Sequence, residues 1–312
     1  MCGIVGYFEK TEAGDPIGSK VLTMLTALGC RGPDSAGVAV WGRPSNGIIV
    51  RVKLAESGRA EAHEREVLRR ARRLGRVERV TTHGGLLCFE IAKAAASEVA
   101  AQIEAVAPSI EVVSMGRRLQ IAKQVGAPKN LEEQFTISKL TGTHGLGHTR
   151  LSTESRVDLS HSQPFWAHGT LDLAVVHNGH ITNYHRLRRM YEQDGVRFYT
   201  ENDSEVIGIY LGRKLREGCS LREALEASVR DLDGSFSYLA ATADTFGFAK
   251  DPFCLKPLIV RESEQAVAIA TEEVALHAAF GAGCRAAEAG AAAVSVWETG
   301  RARRTEAAGR LR

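Results

Sequence analysis

Apolar positions recur along the chain with two different periods. Ile4-Val5-Gly6-Tyr7-Phe8 is a continuous apolar, β-prone run and predicts a buried strand at the head of the chain. Val21, Leu22, Met24, Leu25 and Leu28 recur at helical spacing and predict a helix over 18–28. The Gly/Pro-punctuated loop from Arg31 to Gly37 runs into a second strand, Val38-Ala39-Val40-Trp41. Pro44-Ser45-Asn46-Gly47 then predicts a hairpin turn into Ile48-Ile49-Val50.

From about 54 to 140 the pattern changes character. A heavily charged stretch over 61–76 reads as a solvated helix, followed by a strand at 86–91, an alanine-rich helix over 94–107 and a strand at 110–114. This β-α-β unit predicts an inserted subdomain with a small core of its own. Further on, Leu171 to Val176 reads as a strand, and a helix from near Thr182 places Tyr184, Leu187 and Tyr191 at core spacing. Helices over 206–215 and 221–232 precede strands at 234–240, 247–252, 256–260 and 266–270. A short helix over 272–280 and a last strand at 294–297 follow, and 300–312 reads as a frayed tail.

Composition narrows the class. The chain has 312 residues, 44% hydrophobic and 25% charged, enough for a large core. A formal charge of +3 with only 6% aromatics offers no basic, stacking surface, so nucleic acid is set aside as a partner. Cysteines at 2, 30, 88, 219, 254 and 284 are scattered, with no C-x-x-C pair and no His/Cys cluster at zinc spacing, so neither a disulfide framework nor a bound metal is expected. No apolar run approaches the ~18 residues of a spanning helix, and no signal pattern opens the chain. A cytoplasmic protein without membrane contact is expected.

Candidate chemistry begins at Cys2. If Met1 is removed, thiol and free α-amine share one residue, and the amine is a suitable base for attack on an amide carbonyl. Arg150 offers a planar fork of donors that, with Thr153, would clamp a carboxylate. Asn178 supplies a side-chain amide donor and Gly179 lets a backbone N–H approach a substrate closely, so the two would form an oxyanion hole. Asp203 would bind a substrate ammonium. Each also has a plain structural reading: a core cysteine, a salt-bridged arginine, an Asn-Gly turn and a helix cap. His148 reads as a packing residue rather than a catalyst.

The motifs occur in a telling order. Cys2, Arg31-Gly32-Pro33-Asp34-Ser35-Ala36-Gly37, Gly147-His148-Thr149-Arg150-Leu151-Ser152-Thr153, His177-Asn178-Gly179, Asn202-Asp203-Ser204-Glu205, and Lys250-Asp251-Pro252 with Lys256-Pro257-Leu258 together resemble the glutaminase domain of class II glutamine amidotransferases. That family belongs to the N-terminal-nucleophile hydrolases. The resemblance covers the chain except about 54–140 and the tail, and departs from the family at Pro33 and in the size of the insertion. It implies an α+β fold: a four-layer αββα sandwich carrying an inserted α/β lobe, with the amidotransferase domain spanning 1–312.

The resemblance also implies roles. Cys2 is the nucleophile toward glutamine, Asn178 and Gly179 form the oxyanion hole, and Arg150 and Thr153 hold the α-carboxylate. Asp203 takes the ammonium, and Arg31 positions the cysteine and closes over substrate. Retention of Met1 would leave Cys2 without its amine. No cofactor or metal is expected in this chain. The expected partners are glutamate synthase-like subunits that receive the nitrogen, one of them carrying flavin, as in N-methylglutamate synthase, where methylamine is joined to glutamate. Two alternatives stay open: an enzyme for another γ-glutamyl amide, such as γ-glutamylmethylamide, and a non-catalytic assembly subunit.

Overall fold

A computed structural model describes residues 2–11, 16–54, 58–83, 85–152 and 156–300. Met1, Thr153 and the 301–312 tail lie outside the described residues.

The first part of the chain runs β1 (Gly3–Glu9), α1 (Ile17–Ala27), β2 (Ser35–Trp41), β3 (Ile48–Lys53), α2 (Ala60–Leu74), β4 (Arg76–His83), β5 (Leu86–Ala92), α3 (Ala96–Glu104) and β6 (Glu111–Gly116). The middle holds β7 (Leu119–Val125), α4 (Pro128–Phe135), β8 (His144–Arg150), β9 (Phe165–Trp166), β10 (Ala174–Ile181), α5 (Tyr184–Gln193), α6 (Asp203–Arg216) and α7 (Leu221–Asp231). The last part is β11 (Gly234–Ala241), β12 (Thr245–Lys250), β13 (Ile259–Glu262), β14 (Ala266–Ala270), α8 (Glu273–Phe280), β15 (Ala287–Glu288) and β16 (Val294–Glu298).

Among the described residues, one sheet has the order β15-β13-β14-β1-β8-β2-β7 and a second β16-β12-β11-β10-β9. The strands alternate faces, which sorts their side chains into layers. Ile4, Phe8, Leu146, Val176, Leu239 and Phe246 fill the space between the two sheets. Val5, Tyr7, Val38 and Ala268 face α1 and α8, while Val175, Tyr238 and Ala240 face α6 and α7. This is the α+β, αββα sandwich that the family resemblance implies.

β3 corrects one expectation. It forms no hairpin with β2, because β7 and β8 already occupy both edges of β2. Instead β3 pairs antiparallel with β5 and β6, the centre of a third sheet of order β4-β5-β3-β6 backed by α2 and α3. Its strands run from Ile48 to Gly116, whereas Leu119–Val125 and Pro128–Phe135 join the main sandwich. The expected edges of the insert, 54 and 140, therefore sit later than the sheet's own.

Several imidazoles lie in the interior, those of His144, His148 and His177 almost wholly covered. Burial pushes His144, His148 and His168 down to about 3, so all three are neutral. His144 stacks on Trp41 at 4.6 Å and its Nε2 lies 2.9 Å from the Thr242 carbonyl. Its free-chain counterpart protonates near 6.5, so the unfolded state takes up a proton first, and the stability due to the neutral ring is lost as pH falls from about 6.5 toward 3. The stability gap between wild type and His144→Gln is expected to shrink by about 1.4 kcal/mol per pH unit across that window. Urea melts at several pH values read it, and a constant gap would refute the assignment.

Candidate active site

The site is built where the strand ends of both sheets converge. β1 is central in its sheet, between β14 and β8, so the residue preceding it is placed by two neighbours. The Ile4 amide donates to Thr271 Oγ1 at 2.8 Å. Cys2 lies just outside the ladder, half-buried, with its thiol 3.7 Å from the Leu151 carbonyl. Its own carbonyl accepts from Arg31 Nε at 3.1 Å and from Asn178 Nδ2 at 3.2 Å. Arg31 also pairs with Glu272, the residue that opens α8.

The loop after α1 is pressed onto the end of β8. Asp34 donates its amide to the Arg150 carbonyl at 3.1 Å and accepts from the Ser152 amide at 2.7 Å. A Cβ on Gly32 would fall 2.5 Å from the Arg150 nitrogen, so only glycine permits this approach. Arg150 is 5% exposed, and its guanidinium donates to the Arg156 carbonyl at 2.8 Å. Burial lowers its pKa, opposed by its attraction to Cys2, Asp158 and Asp34.

β10 divides its side chains between two layers. Val176 and Asn178 face the space between the sheets, and Val175 and His177 face the helix layer. An Asn amide has two N–H donors, so the bond to Cys2 leaves one over. Gly179 has φ of 145° and a Cβ there would lie 2.2 Å from the Ser235 carbonyl, which excludes other residues. Asp203 is the first residue of α6, but Asn202 makes the side-chain cap by accepting from the Ser204 amide at 3.0 Å. That frees Asp203 from the capping role: its carboxylate accepts from the Ile181 amide at 2.7 Å and lies 3.6 Å from His180 Nδ1. His148 packs as expected, with Nε2 3.2 Å from the His177 carbonyl.

Residues 148–278 match a glutamine amidotransferase domain family. The chain is 35% identical over 278 residues to the glutamine amidotransferase-like protein GlxB of Rhizobium meliloti, covering 88% of this chain and 91% of that protein. The chain is a class II glutamine amidotransferase. The amidotransferase is also 32% identical over 164 residues to the amidophosphoribosyltransferase of Methanocaldococcus jannaschii, covering 52% of this chain and 35% of that one. In fold it is similar to the glutamine PRPP amidotransferase from B. subtilis, with a TM-score of 0.62 at 19% identity, over 95% of this chain and 47% of the other.

The structure thus draws Cys2, Arg31, Arg150, Asn178, Gly179 and Asp203 of the amidotransferase to one end of the sandwich. Glu272 pairs with Arg31, and Gln163, His177 and Ser204 bond one another beside these residues; sequence reasoning did not single them out. Ser162-Gln163-Pro164-Phe165 reads only as a loop, although a polar residue ahead of proline at the start of an apolar segment was a signal to follow. Among the described residues no three potential metal ligands cluster, and no helix is long and apolar enough to cross a membrane.

Proposed function

We propose that this amidotransferase hydrolyses the side-chain amide of glutamine through a thioester on Cys2 and passes the ammonia to a separate glutamate synthase-like partner. The observation that carries the reading is the double hold on the Cys2 carbonyl by Arg31 and Asn178, which fixes the residue bearing the nucleophile against the residue that would receive the oxyanion.

With Met1 removed, the α-amine takes the thiol proton as sulfur bonds to the amide carbon, and the carbonyl π pair moves onto oxygen. The second N–H of Asn178 and the Gly179 amide receive that oxyanion. The amine then returns the proton to nitrogen, the C–N bond breaks and ammonia leaves, and water cleaves the thioester to give glutamate. Arg150 and Thr153 hold the α-carboxylate and Asp203 the α-ammonium. These contacts set glutamine, rather than an uncharged amide, as substrate. A partner resembling N-methylglutamate synthase, with flavin in that partner, would supply the acceptor.

Incubation with a glutamine-like diazoketone, followed by intact and peptide mass spectrometry, tests the site without partner subunits. An adduct on Cys2, with Met1 absent and glutamine protecting, is expected. A retained Met1 with no adduct overturns the proposal.

A further inference from the structure

Gln163 touches none of the groups assigned above, yet it holds the strand that carries two of them. β9 pairs with β10 at Phe165–Val175 and Trp166–Ala174. Pro164 has no N–H with which to extend that ladder. Beyond it the Gln163 side chain stands in for a neighbouring strand: Oε1 accepts from the His177 amide at 2.6 Å, and Nε2 donates to the His177 carbonyl at 3.1 Å. One side-chain amide thus holds both backbone polar groups of the residue before Asn178. Gln163 is 4% exposed, so these bonds are shielded from water.

The same nitrogen reaches a second element. Nε2 lies 3.1 Å from Ser204 Oγ, which is 2.8 Å from His177 Nδ1. Ser204 is the neighbour of Asp203 in α6, and His177 is the neighbour of Asn178 in β10. The main chain of Gln163 is wedged against the other sheet as well, since a Cβ on Gly37 of β2 would fall 2.1 Å from the Gln163 carbonyl. The residue therefore contacts β2, β10 and α6 at once, and of the site's parts Asn178 and Gly179 lie on β10 and Asp203 on α6.

We propose that Gln163 is a positioning residue that fixes the oxyanion-hole strand in place relative to the Asp203 helix, so that the two ends of the substrate are received at a set separation. The inference rests on the thioester reading above. Loss of the clamp lets Asn178 and Gly179 drift while the carboxylate and ammonium contacts survive, so it weakens the transition state more than the ground state. A displacement of about 1 Å at the reacting centre costs about 10²-fold.

The test compares two ligands on the purified protein. Glutamate needs only the carboxylate and ammonium contacts. The aldehyde analogue of glutamine, with CHO in place of CONH2, also needs the oxyanion hole. The thiol sulfur bonds to its carbonyl carbon, the π pair moves onto oxygen, and the thiol proton follows to give a thiohemiacetal. For Gln163→Ala the aldehyde affinity is expected to fall about 10²-fold and the glutamate affinity less than about threefold. If that variant does not fold, Gln163→Met preserves side-chain length without the donor and acceptor, and the same split is expected. Equal weakening of both ligands, or aldehyde binding like the wild type, overturns the inference alone. A wild type that binds glutamate but not the aldehyde overturns the thioester reading and this inference with it.

Discussion

Cys2→Ala is expected to abolish ammonia release from glutamine, a loss of about 10⁴-fold or more, while leaving the melting temperature nearly unchanged. The thiol is half-buried and its recorded contact is a long one to the Leu151 carbonyl, so deleting one sulfur removes little packing. What holds this residue is its backbone: the carbonyl bonds to Arg31 and Asn178 do not involve the side chain and survive in the variant. Ammonia assays and thermal melts on matched preparations check both halves. Loss of activity in the complex with assembly intact excludes a purely structural subunit. Undiminished turnover by Cys2→Ala would sink the nucleophile assignment outright.

Asn178→Ala is expected to lower kcat by about 10²–10³-fold, the range for loss of a single oxyanion donor. Its effect on KM is expected to be small, because the ground-state amide draws little on that donor. The side chain also bonds the Cys2 carbonyl, so part of the loss will come from a less firmly seated nucleophile. Diazoketone alkylation separates the two: a rate of Cys2 labelling that falls far less than kcat assigns most of the loss to the oxyanion, and an equal fall assigns it to the seat. If kcat is unaffected, Asn178 serves only as a strand residue.

The sandwich was largely legible because its buried strands are continuous apolar runs and its helices keep a single apolar face. Legibility failed where the signal depends on distant partners. β4 is mostly exposed and carries Arg76, Glu78, Arg79 and His83, so it lacks the apolar alternation that marks a strand. β7 has apolar Leu119 and Ile121 in alternation, but sits within the stretch that reads as an insert, and only its pairing with β2 assigns it to the main sheet. The hairpin expected after Trp41 fails for a related reason, since turn chemistry says where the chain bends and not which edges are free.

The site was legible only as an ordered set. Asn178-Gly179 alone is indistinguishable from a turn, and Asp203 from a helix cap; the structure separates these by giving the cap to Asn202 and a steric exclusion to Gly179. Gln163 was missed because its bonds imitate backbone pairing: a polar residue ahead of proline marks the entry to a strand without saying which backbone groups it would hold. Thr153 lies outside the described residues, so of the two residues proposed to hold the α-carboxylate only Arg150 is described.

The position of β1 has a consequence for biosynthesis. The first strand made is closed by the eighth and the fourteenth segments of its kind to complete its sheet: Gly3 meets Thr149, and Val5 meets Ala270. At about 5–20 residues per second, a ribosome needs about 15–50 s to deliver the second of those neighbours. Throughout that interval the head of the nascent chain has no finished slot to enter, and the bond following Met1 stays open to an aminopeptidase. The strand that follows Cys2 is therefore seated only after β14 has been translated, which leaves time for any trimming of Met1 to come first.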